Sequence, residues 1–269
     1  MTDTAPAPVK GEEDWHSYDE FAAGIDTYRL PPVSLDGREL TLTLDDGTRL
    51  DLAFGERTVT WSADGALDQP EAAVDPYDAV AVREDVHFVT LPFESRVRES
   101  LTVVIGASSN RAIVVHGRID EEAREDVPQV SQRFWAATSS DGEASGEIPA
   151  PSRDLIGKRN VYRYSPEHLY EHVYVSSQRY AWQCLEGVQR GHGDMDLSTV
   201  WKFADGLYLF CFREFRIPVA SVWLHDLGYG LMTTGNFLGL NGAGESEHSK
   251  AGGHIYPLGS VAYPDAQPV

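Results

Sequence analysis

The chain repeats one pattern of residues after about 120 positions, and this repeat restricts its fold more than any other feature. Leu42 and Leu44 in the first copy align with Tyr162 and Tyr164 in the second, a separation of 162 − 42 = 120. Because the repeat has the length of a domain, it predicts two tandem domains of related fold rather than a solenoid of short units.

Both copies show the period of two that is typical of β-strands. In the first copy, Leu40, Leu42 and Leu44 alternate with polar residues, and a turn at 45–47 leads to a second alternating run that ends at Phe54. This pattern predicts a β-hairpin. Further short alternating runs follow through both copies, which predicts an all-β chain of antiparallel sandwiches or barrels.

The repeat divides the chain into four parts. Residues 1–28 are predicted to be a tail with a short amphipathic helix, residues 29–119 the first β-domain, and residues 154–265 the second. Residues 120–153 are predicted to be a partly helical linker, with 130–137 as one of its helix-compatible stretches.

The second copy contains a long Gly-rich stretch, residues 239–253. A loop of this length without secondary structure of its own is often a lid or a binding loop. The alternative interpretation is a disordered excursion with no function.

Composition limits the partners of the protein. Its 42 acidic residues outnumber its 22 Lys and Arg residues, which gives a formal net charge of −20. Acidic surfaces repel nucleic acids and anionic membranes, so we expect neither as a partner. No run of about 18 apolar residues occurs, and the first ten residues lack the apolar core of a secretion signal, so we expect a cytoplasmic protein.

The sequence contains no motif for a cofactor or a metal ion. There is no Walker-type phosphate loop and no Cys-x-x-Cys pair, and Cys184 and Cys211 are predicted to be buried free thiols. His168 and His172 have a spacing that suits a metal on a helix, but on a strand they are roughly 13 Å apart. We therefore expect neither a cofactor nor a metal site.

Two tyrosines make the second copy chemically different from the first. Tyr162 and Tyr164 are two positions apart in a predicted strand, so both side chains point to one face. If that face is a barrel interior, two phenol hydroxyls enter an apolar cavity and can hold an oxygen atom of a ligand. Alternatively, both rings simply pack in the core, where the first copy has leucines.

Two further residues are candidates for proton transfer. Glu214 ends an apolar run, and a carboxyl group in an apolar pocket keeps its proton to higher pH. Alternatively, Glu214 forms a salt bridge with Arg213 or Arg216, and Glu94 in the first copy is compatible with a structural role shared by both glutamates. His192 lies in a Gly-rich loop, where it is either a proton shuttle or an exposed residue without function.

The second copy is also rich in aromatic residues, which suits a flat, unsaturated ligand, although core packing explains aromatic residues equally well. The predicted ligand-contacting residues are Tyr174, Trp182, Tyr208, Phe212 and Trp223.

Three segments of the second copy resemble the C-terminal domain of the family named after molybdenum cofactor biosynthesis protein F, MoaF. These segments are residues 155–174, 180–187 and 205–214, and the first copy resembles the N-terminal domain of that family more loosely. The resemblance implies two calycin (lipocalin-like) antiparallel β-barrels in tandem. It implies no defined chemistry.

The second copy also resembles the bacterial phenolic acid decarboxylases, which are single lipocalin-like barrels. Residues 156–164, with both tyrosines, match the opening motif of that family, and Glu214 matches its pocket glutamate. His192 stands where that family has a pocket arginine. The resemblance implies roles for the tyrosines and the glutamate, whereas the histidine argues against recognition of a carboxylate.

Together these features favour a cofactor-free acid/base enzyme that decarboxylates, hydrates, isomerises or cyclises a small aromatic or conjugated molecule. Tyr162 and Tyr164 would hold a ligand oxygen, Glu214 would move a proton, and His192 would lie at the pocket mouth. The first barrel would be structural, packed against the second or against another subunit of a homodimer. The alternatives are a carrier or sensor that leaves its ligand unchanged, and a structural partner protein with a filled barrel.

Overall fold

The computed structural model describes residues 10–11, 14–67 and 69–269, which form eighteen β-strands and one short α-helix. Most of the predicted N-terminal tail, residues 1–9, lies outside the described residues. The strands form two nine-stranded antiparallel sheets, and each sheet is built from one copy of the repeat. The prediction of an all-β fold is confirmed.

The first sheet has the strand order β4-β3-β2-β1-β9-β8-β7-β6-β5. Its strands are β1 (Glu39–Leu44), β2 (Arg49–Phe54), β3 (Thr58–Ala63), β4 (Gln69–Pro76), β5 (Asp78–Arg83), β6 (Val86–Pro92), β7 (Glu99–Gly106), β8 (Arg111–Ile119) and β9 (Val130–Ser139). The predicted hairpin is β1–β2, in which Leu42 pairs with Leu50. Gly47 in its turn has φ +87°, a conformation that glycine adopts without steric cost.

The second sheet has the strand order β10-β14-β13-β12-β11-β18-β17-β16-β15, and β14 also pairs with β15. Its strands are β10 (Ala150–Pro151), β11 (Lys158–Ser165), β12 (His168–Tyr174), β13 (Arg179–Glu186), β14 (Gly193–Ala204), β15 (Leu207–Arg213), β16 (Val219–Asp226), β17 (Met232–Leu240) and β18 (Ser246–Ser260). The extra pairing closes β11–β18 into an eight-stranded barrel, hereafter the second barrel.

The first sheet does not close in the same way and forms a half-barrel, whereas the resemblance had implied two barrels. In the second barrel the long strand β14 pairs with β13 through its first half and with β15 through its second half. The first copy divides this strand at Tyr77 into β4 and β5, which pair with β3 and β6 respectively. Pro76, which lacks an N–H group, ends β4 and contributes to the break.

The predicted partly helical linker is wrong for residues 130–137. These residues belong to β9, which pairs with β8 along its whole length and with β1 at its end. A strand forms because neighbours on both sides satisfy its backbone groups, and this tertiary pairing outweighs the local propensity for helix.

The predicted loop 239–253 is also largely strand. Strand β17 continues to Leu240 and β18 starts at Ser246, so only residues 241–245 connect them. The glycines serve close packing here, because a Cβ atom on Gly253 would lie 2.3 Å from the carbonyl oxygen of Arg163. The high glycine content of residues 239–253 therefore reflects close packing of β18 against β11 and does not indicate a lid.

The two sheets pack together through strands that are buried on both faces. In β15, Phe210 and Phe212 face the interior of the second barrel, whereas Leu209 and Cys211 face the first sheet. The remaining apolar contacts between the sheets involve Val80, Phe88, Val104, Ile113 and Val115 of the first and Trp201, Val222 and Leu224 of the second.

Polar contacts fix the position of one sheet on the other. Arg83 Nη2 lies 2.9 Å from Oδ1 of Asp226, a side chain that is 2% exposed. Gln132 Nε2 donates to the carbonyl of Ser221 at 2.9 Å. Because a slip of the sheets would leave these buried groups unpaired, the contacts favour a single arrangement.

The predicted N-terminal helix is present as α1 (Tyr18–Ala22), and it lies against the second barrel. The backbone N–H of Ser17 donates to Glu20 Oε2 at 2.9 Å, as in a capping box. Tyr18, Phe21 and Ile25 are buried in the apolar core of the barrel. No helix in the described part of the chain is long and apolar enough to cross a membrane.

We expect Leu209→Ala to lower the free energy of unfolding by about 2–5 kcal/mol, because the substitution leaves a cavity between the two sheets. Leu209 is fully buried, whereas Leu258 is 56% exposed and provides a matched control. Leu258→Ala should change the free energy by less than about 0.5 kcal/mol. Urea unfolding of both variants tests this, and equal losses would contradict the proposed packing of the sheets.

Candidate functional site

A cavity of about 30 Å³ lies inside the second barrel, next to α1. This is space for roughly one or two water molecules. Eight of its twelve lining side chains are Phe, Tyr or Trp, and none is Lys or Arg. Strand alternation brings them to one side, with Tyr170 and His172 on β12 and Tyr180 and Trp182 on β13. An aromatic cavity with few polar groups is typical of a site for a small apolar ligand.

Among the described residues, Glu214 is the only acidic one that lines this cavity. The side chain is 6% exposed, and no hydrogen bond to its carboxyl group occurs among the described residues. Burial raises the pKa of Glu214 well above its usual range, and the charges of Asp196 and Asp194 raise it further. Burial therefore favours the protonated form of Glu214, a carboxylic acid that can donate a proton into the cavity.

The neighbouring arginines are occupied elsewhere. Arg213 donates to Gln132 Oε1 at 3.0 Å and to Thr199 Oγ1 at 3.1 Å, on the side that faces the first sheet. Arg216 contacts Asp194 at 3.0 Å. These contacts are not the salt bridge with Glu214 that was the alternative interpretation of the sequence.

A buried Trp–Asp hydrogen bond occurs in both copies. It identifies equivalent positions in the two copies more reliably than their spacing in the sequence does. Trp61 Nε1 donates to Asp75 at 2.8 Å, and Trp182 Nε1 donates to Asp196 at 2.8 Å. This shared pair has a structural role in both sheets, because each aspartate satisfies a buried indole N–H.

The same aspartates show which residue of the first copy corresponds to Glu214. Asp75 accepts the backbone N–H of Glu94, and Asp196 accepts that of Phe215. The residue before each amide is Phe93 in the first copy and Glu214 in the second. Phe93 stacks on the Trp61 ring at 4.6 Å, whereas the Glu94 side chain is exposed. Glu214 thus occupies the place of a core phenylalanine, so Glu94 and Glu214 share no structural role.

The two candidate tyrosines have different surroundings. Tyr164 lines the cavity, and within the described chain its hydroxyl has no hydrogen-bond partner. Tyr162 is not among the residues that line the cavity, and its hydroxyl lies 2.6 Å from that of Tyr174. The Tyr174 hydroxyl in turn lies 3.1 Å from His225 Nε2, within hydrogen-bond distance. Tyr162 and Tyr174 therefore belong to a hydrogen-bonded chain beside the cavity.

The structure brings together most of the predicted ligand-contacting residues. Trp182, Phe212 and Trp223 line the cavity with Tyr164 and Glu214. Tyr208 does not line it, and its hydroxyl donates to Asp154 Oδ2 at 3.0 Å.

His192 contacts the N-terminal segment instead of lining the cavity. Its Nε2 lies 3.1 Å from the carbonyl oxygen of Asp14, and its ring centroid lies 4.6 Å from that of Trp15. Since a carbonyl oxygen only accepts, Nε2 carries the proton in this contact. The side chain is buried, so His192 holds the segment in place.

Several lining residues were not identified from the sequence. His172 has a buried Nδ1 without a partner among the described residues, and burial lowers its pKa to about 3. It is therefore neutral at pH 7. Its position two residues from Tyr170 and Tyr174 on β12 is the signal that could have identified it. Phe21 and Ile25 carry no such signal, because they lie far from the barrel in sequence.

The part of the chain covered by the structure contains no group of three or more His, Cys, Asp or Glu side chains that could hold a metal ion. Both cysteines are buried and free. The chemistry available in the cavity is that of a carboxylic acid, a neutral imidazole and phenol hydroxyls.

The buried carboxyl group predicts a pH dependence of stability. A carboxyl whose pKa is raised by folding loses stability as pH rises from its unfolded value of about 4.3 towards the folded value. Glu214→Gln removes this loss, so its Tm relative to wild type should increase between pH 5 and pH 9. Calorimetry across that range tests the expectation, with Glu94→Gln as the exposed control. A Tm difference that is independent of pH would contradict it.

Two family models match successive parts of the chain. Residues 13–121 match the model of the MoaF N-terminal domain, and residues 149–261 match that of the MoaF C-terminal domain. The curated "Protein MoaF" of Klebsiella aerogenes is 32% identical over 218 residues, which cover 77% of each chain.

One solved structure, described as "a putative beta-lactamase from Burkholderia vietnamiensis", aligns with 39% of this chain and 95% of its own. Its identity of 14% and TM-score of 0.34 are too low to bear on fold or function. The two domain matches and the Klebsiella relative, in contrast, show the family directly. The chain belongs to the MoaF family.

Proposed function

We propose that the second barrel binds a small, uncharged aromatic or conjugated molecule and moves a proton on it without a cofactor. The observation that carries this proposal is Glu214, a buried carboxyl group that lines an aromatic cavity and has no hydrogen-bond partner among the described residues. Such a group destabilises a fold compared with phenylalanine, and Phe93 occupies the corresponding place in the first sheet. A functional requirement explains why the second copy carries it.

The charge of the cavity lining favours a neutral ligand. No Lys or Arg occurs among the described residues that line it, and burial favours the uncharged forms of both Glu214 and His172. A carboxylate or phosphate would lose its hydration without gaining a counter-charge, which is strongly unfavourable. Hydration, isomerisation and cyclisation of neutral substrates are therefore better supported than decarboxylation of a carboxylate.

The proton transfer would start from Glu214. Its acid proton would pass to an oxygen or carbon atom of the ligand, and the hydroxyls of Tyr164 and Tyr180 are available to donate to developing negative charge. His172 would accept a proton from another position of the ligand. The negative charge left on Glu214 would favour this step, since an anion nearby stabilises imidazolium.

The first sheet has a structural role in this proposal. At the positions of Tyr162 and Tyr164 its core contains Leu42 and Leu44, and at the position of Glu214 it contains Phe93. The side chains at these three positions supply no acid or base. It supports the second barrel through the strands that contact β15 and β16.

The second candidate function is a carrier or sensor that binds the same class of molecule unchanged. It is favoured by the pKa values of Tyr164 and Tyr180, which burial raises well above the usual range, because phenols that keep their protons hold a ligand oxygen without acting as bases. Incubation with a panel of neutral conjugated carbonyl and phenolic compounds separates the two functions. A ligand recovered with added water or with an altered retention time at unchanged mass indicates an enzyme, and one recovered unaltered indicates a carrier.

For a substrate found in this way, Glu214→Gln should lower kcat by at least about 100-fold, because the amide cannot supply the acid proton. The change is nearly isosteric, so the dissociation constant should change much less. Glu94→Gln is the matched control and should retain the wild-type rate, since Glu94 is exposed. Wild-type turnover in Glu214→Gln would refute the assignment of Glu214 as the acid.

A further inference from the structure

The N-terminal segment completes the wall of the ligand cavity. Phe21 and Ile25 line it from outside the barrel. The Phe21 ring meets Phe237 edge to face, with ring centroids 5.9 Å apart. Trp15 meets Trp182 in the same manner at 5.8 Å. The segment thus presents its aromatic side chains to the barrel mouth as a bound apolar ligand would.

A few polar contacts hold this segment in place. His168 Nε2 lies 3.1 Å from the carbonyl oxygen of Phe21, and the N–H of Gly242 donates to Asp19 Oδ1 at 2.8 Å. The contact of His192 with the Asp14 carbonyl holds the other end. All three contacts attach the segment to turns or strand ends at the rim of the barrel.

The cavity under the segment is too small for the ligand class proposed above. Its volume is about 30 Å³, whereas a dry protein cavity that accepts benzene measures roughly 150 Å³. Because protein interiors are close-packed, the barrel wall itself cannot supply this difference by small shifts. Removal of Phe21 and Ile25 from the mouth would open the cavity without any change in the strands.

The segment is built for such a movement. Helix α1 has only five residues, and a helix this short has little stability of its own. The chain is anchored again just after it, where the Tyr28 N–H donates to the Tyr164 carbonyl at 3.1 Å and Arg29 pairs with Asp78. With the chain fixed there, residues 14–25 would pivot about the turn at residues 26–27 once the rim contacts and the bond from the Gly252 N–H to the Ile25 carbonyl break.

We propose that residues 14–25 form a lid on the second barrel, and that a ligand enters only when this lid leaves the barrel mouth. The inference deepens the proposed function, because it concerns access to the same site. It also restricts the ligand: the group that replaces Phe21 and Ile25 must be apolar, and an aromatic ring can take over the edge-to-face contact with Phe237.

A disulfide that locks the lid provides the test. A Cβ atom on Gly242 would lie 3.4 Å from Cβ of Ser17, close to the separation of about 3.5–4.5 Å found in disulfides. The variant is Ser17→Cys/Gly242→Cys, and Ser17→Cys alone is the matched control. Cys184 and Cys211 are buried, so they should not compete for oxidation.

Binding is measured with N-phenyl-1-naphthylamine, a neutral aromatic probe that fluoresces in apolar sites. The oxidised double variant should bind at least about tenfold more weakly than its reduced form, because the competent open state is removed. Reduction should restore binding, and the single variant should respond to neither treatment. Equal binding by the oxidised and reduced double variant would overturn the lid.

Hydrogen exchange of the wild-type protein tests the lid without any ligand. The N–H groups of Phe21 and Ile25, which bond within the segment, should exchange at least about tenfold faster than those of β11 and β15. Exchange as slow as in the barrel strands would overturn the lid. If exchange is fast but no aromatic probe binds even the reduced protein, the proposed function fails and the lid stands.

Discussion

Strands β15 and β16 are buried on both faces, and the rest of the structure depends on this constraint. Alternate residues of β15 enter the second barrel and the contact with the first sheet, so Phe212 and Cys211 lie on opposite sides of one strand. A shift of register by one residue would exchange the two sets. The packing of the first sheet therefore helps to hold the strand that leads to Glu214.

The two copies share a framework but differ in what fills it. Each retains the buried Trp–Asp pair, Trp61 with Asp75 and Trp182 with Asp196. Around this pair the first copy has a core of aliphatic, Phe and Trp side chains, whereas the second adds phenols, imidazoles and a carboxyl group. Buried polar groups destabilise a fold unless they are hydrogen-bonded, and Glu214 has no such bond within the described chain. A site that costs stability in one copy only is most simply explained by function.

Neutral groups dominate this site. Burial raises the pKa of Glu214 and lowers that of His172, so the uncharged form of each is favoured for the same physical reason. Glu214 as the acid and His172 as the base can still act, because each can exchange a proton with an uncharged ligand in the cavity. In the ligand-free protein, the lid excludes water from the cavity and so preserves the low polarity that sets both pKa values.

The sequence by itself determined the duplication, the all-β class and the MoaF resemblance, and it singled out Tyr164 and Glu214 as candidate site residues. These follow from periodicity and from differences between aligned positions, which are local properties of the chain. The sequence was misleading where pairing with distant strands decides the secondary structure. Residues 130–137 belong to β9 because a strand lies on each side of them. Only the tertiary structure separated Tyr164, which lines the cavity, from Tyr162, which bonds to Tyr174. It alone also placed Phe21 over the cavity, because a contact between residues more than a hundred positions apart leaves no periodic pattern in the sequence.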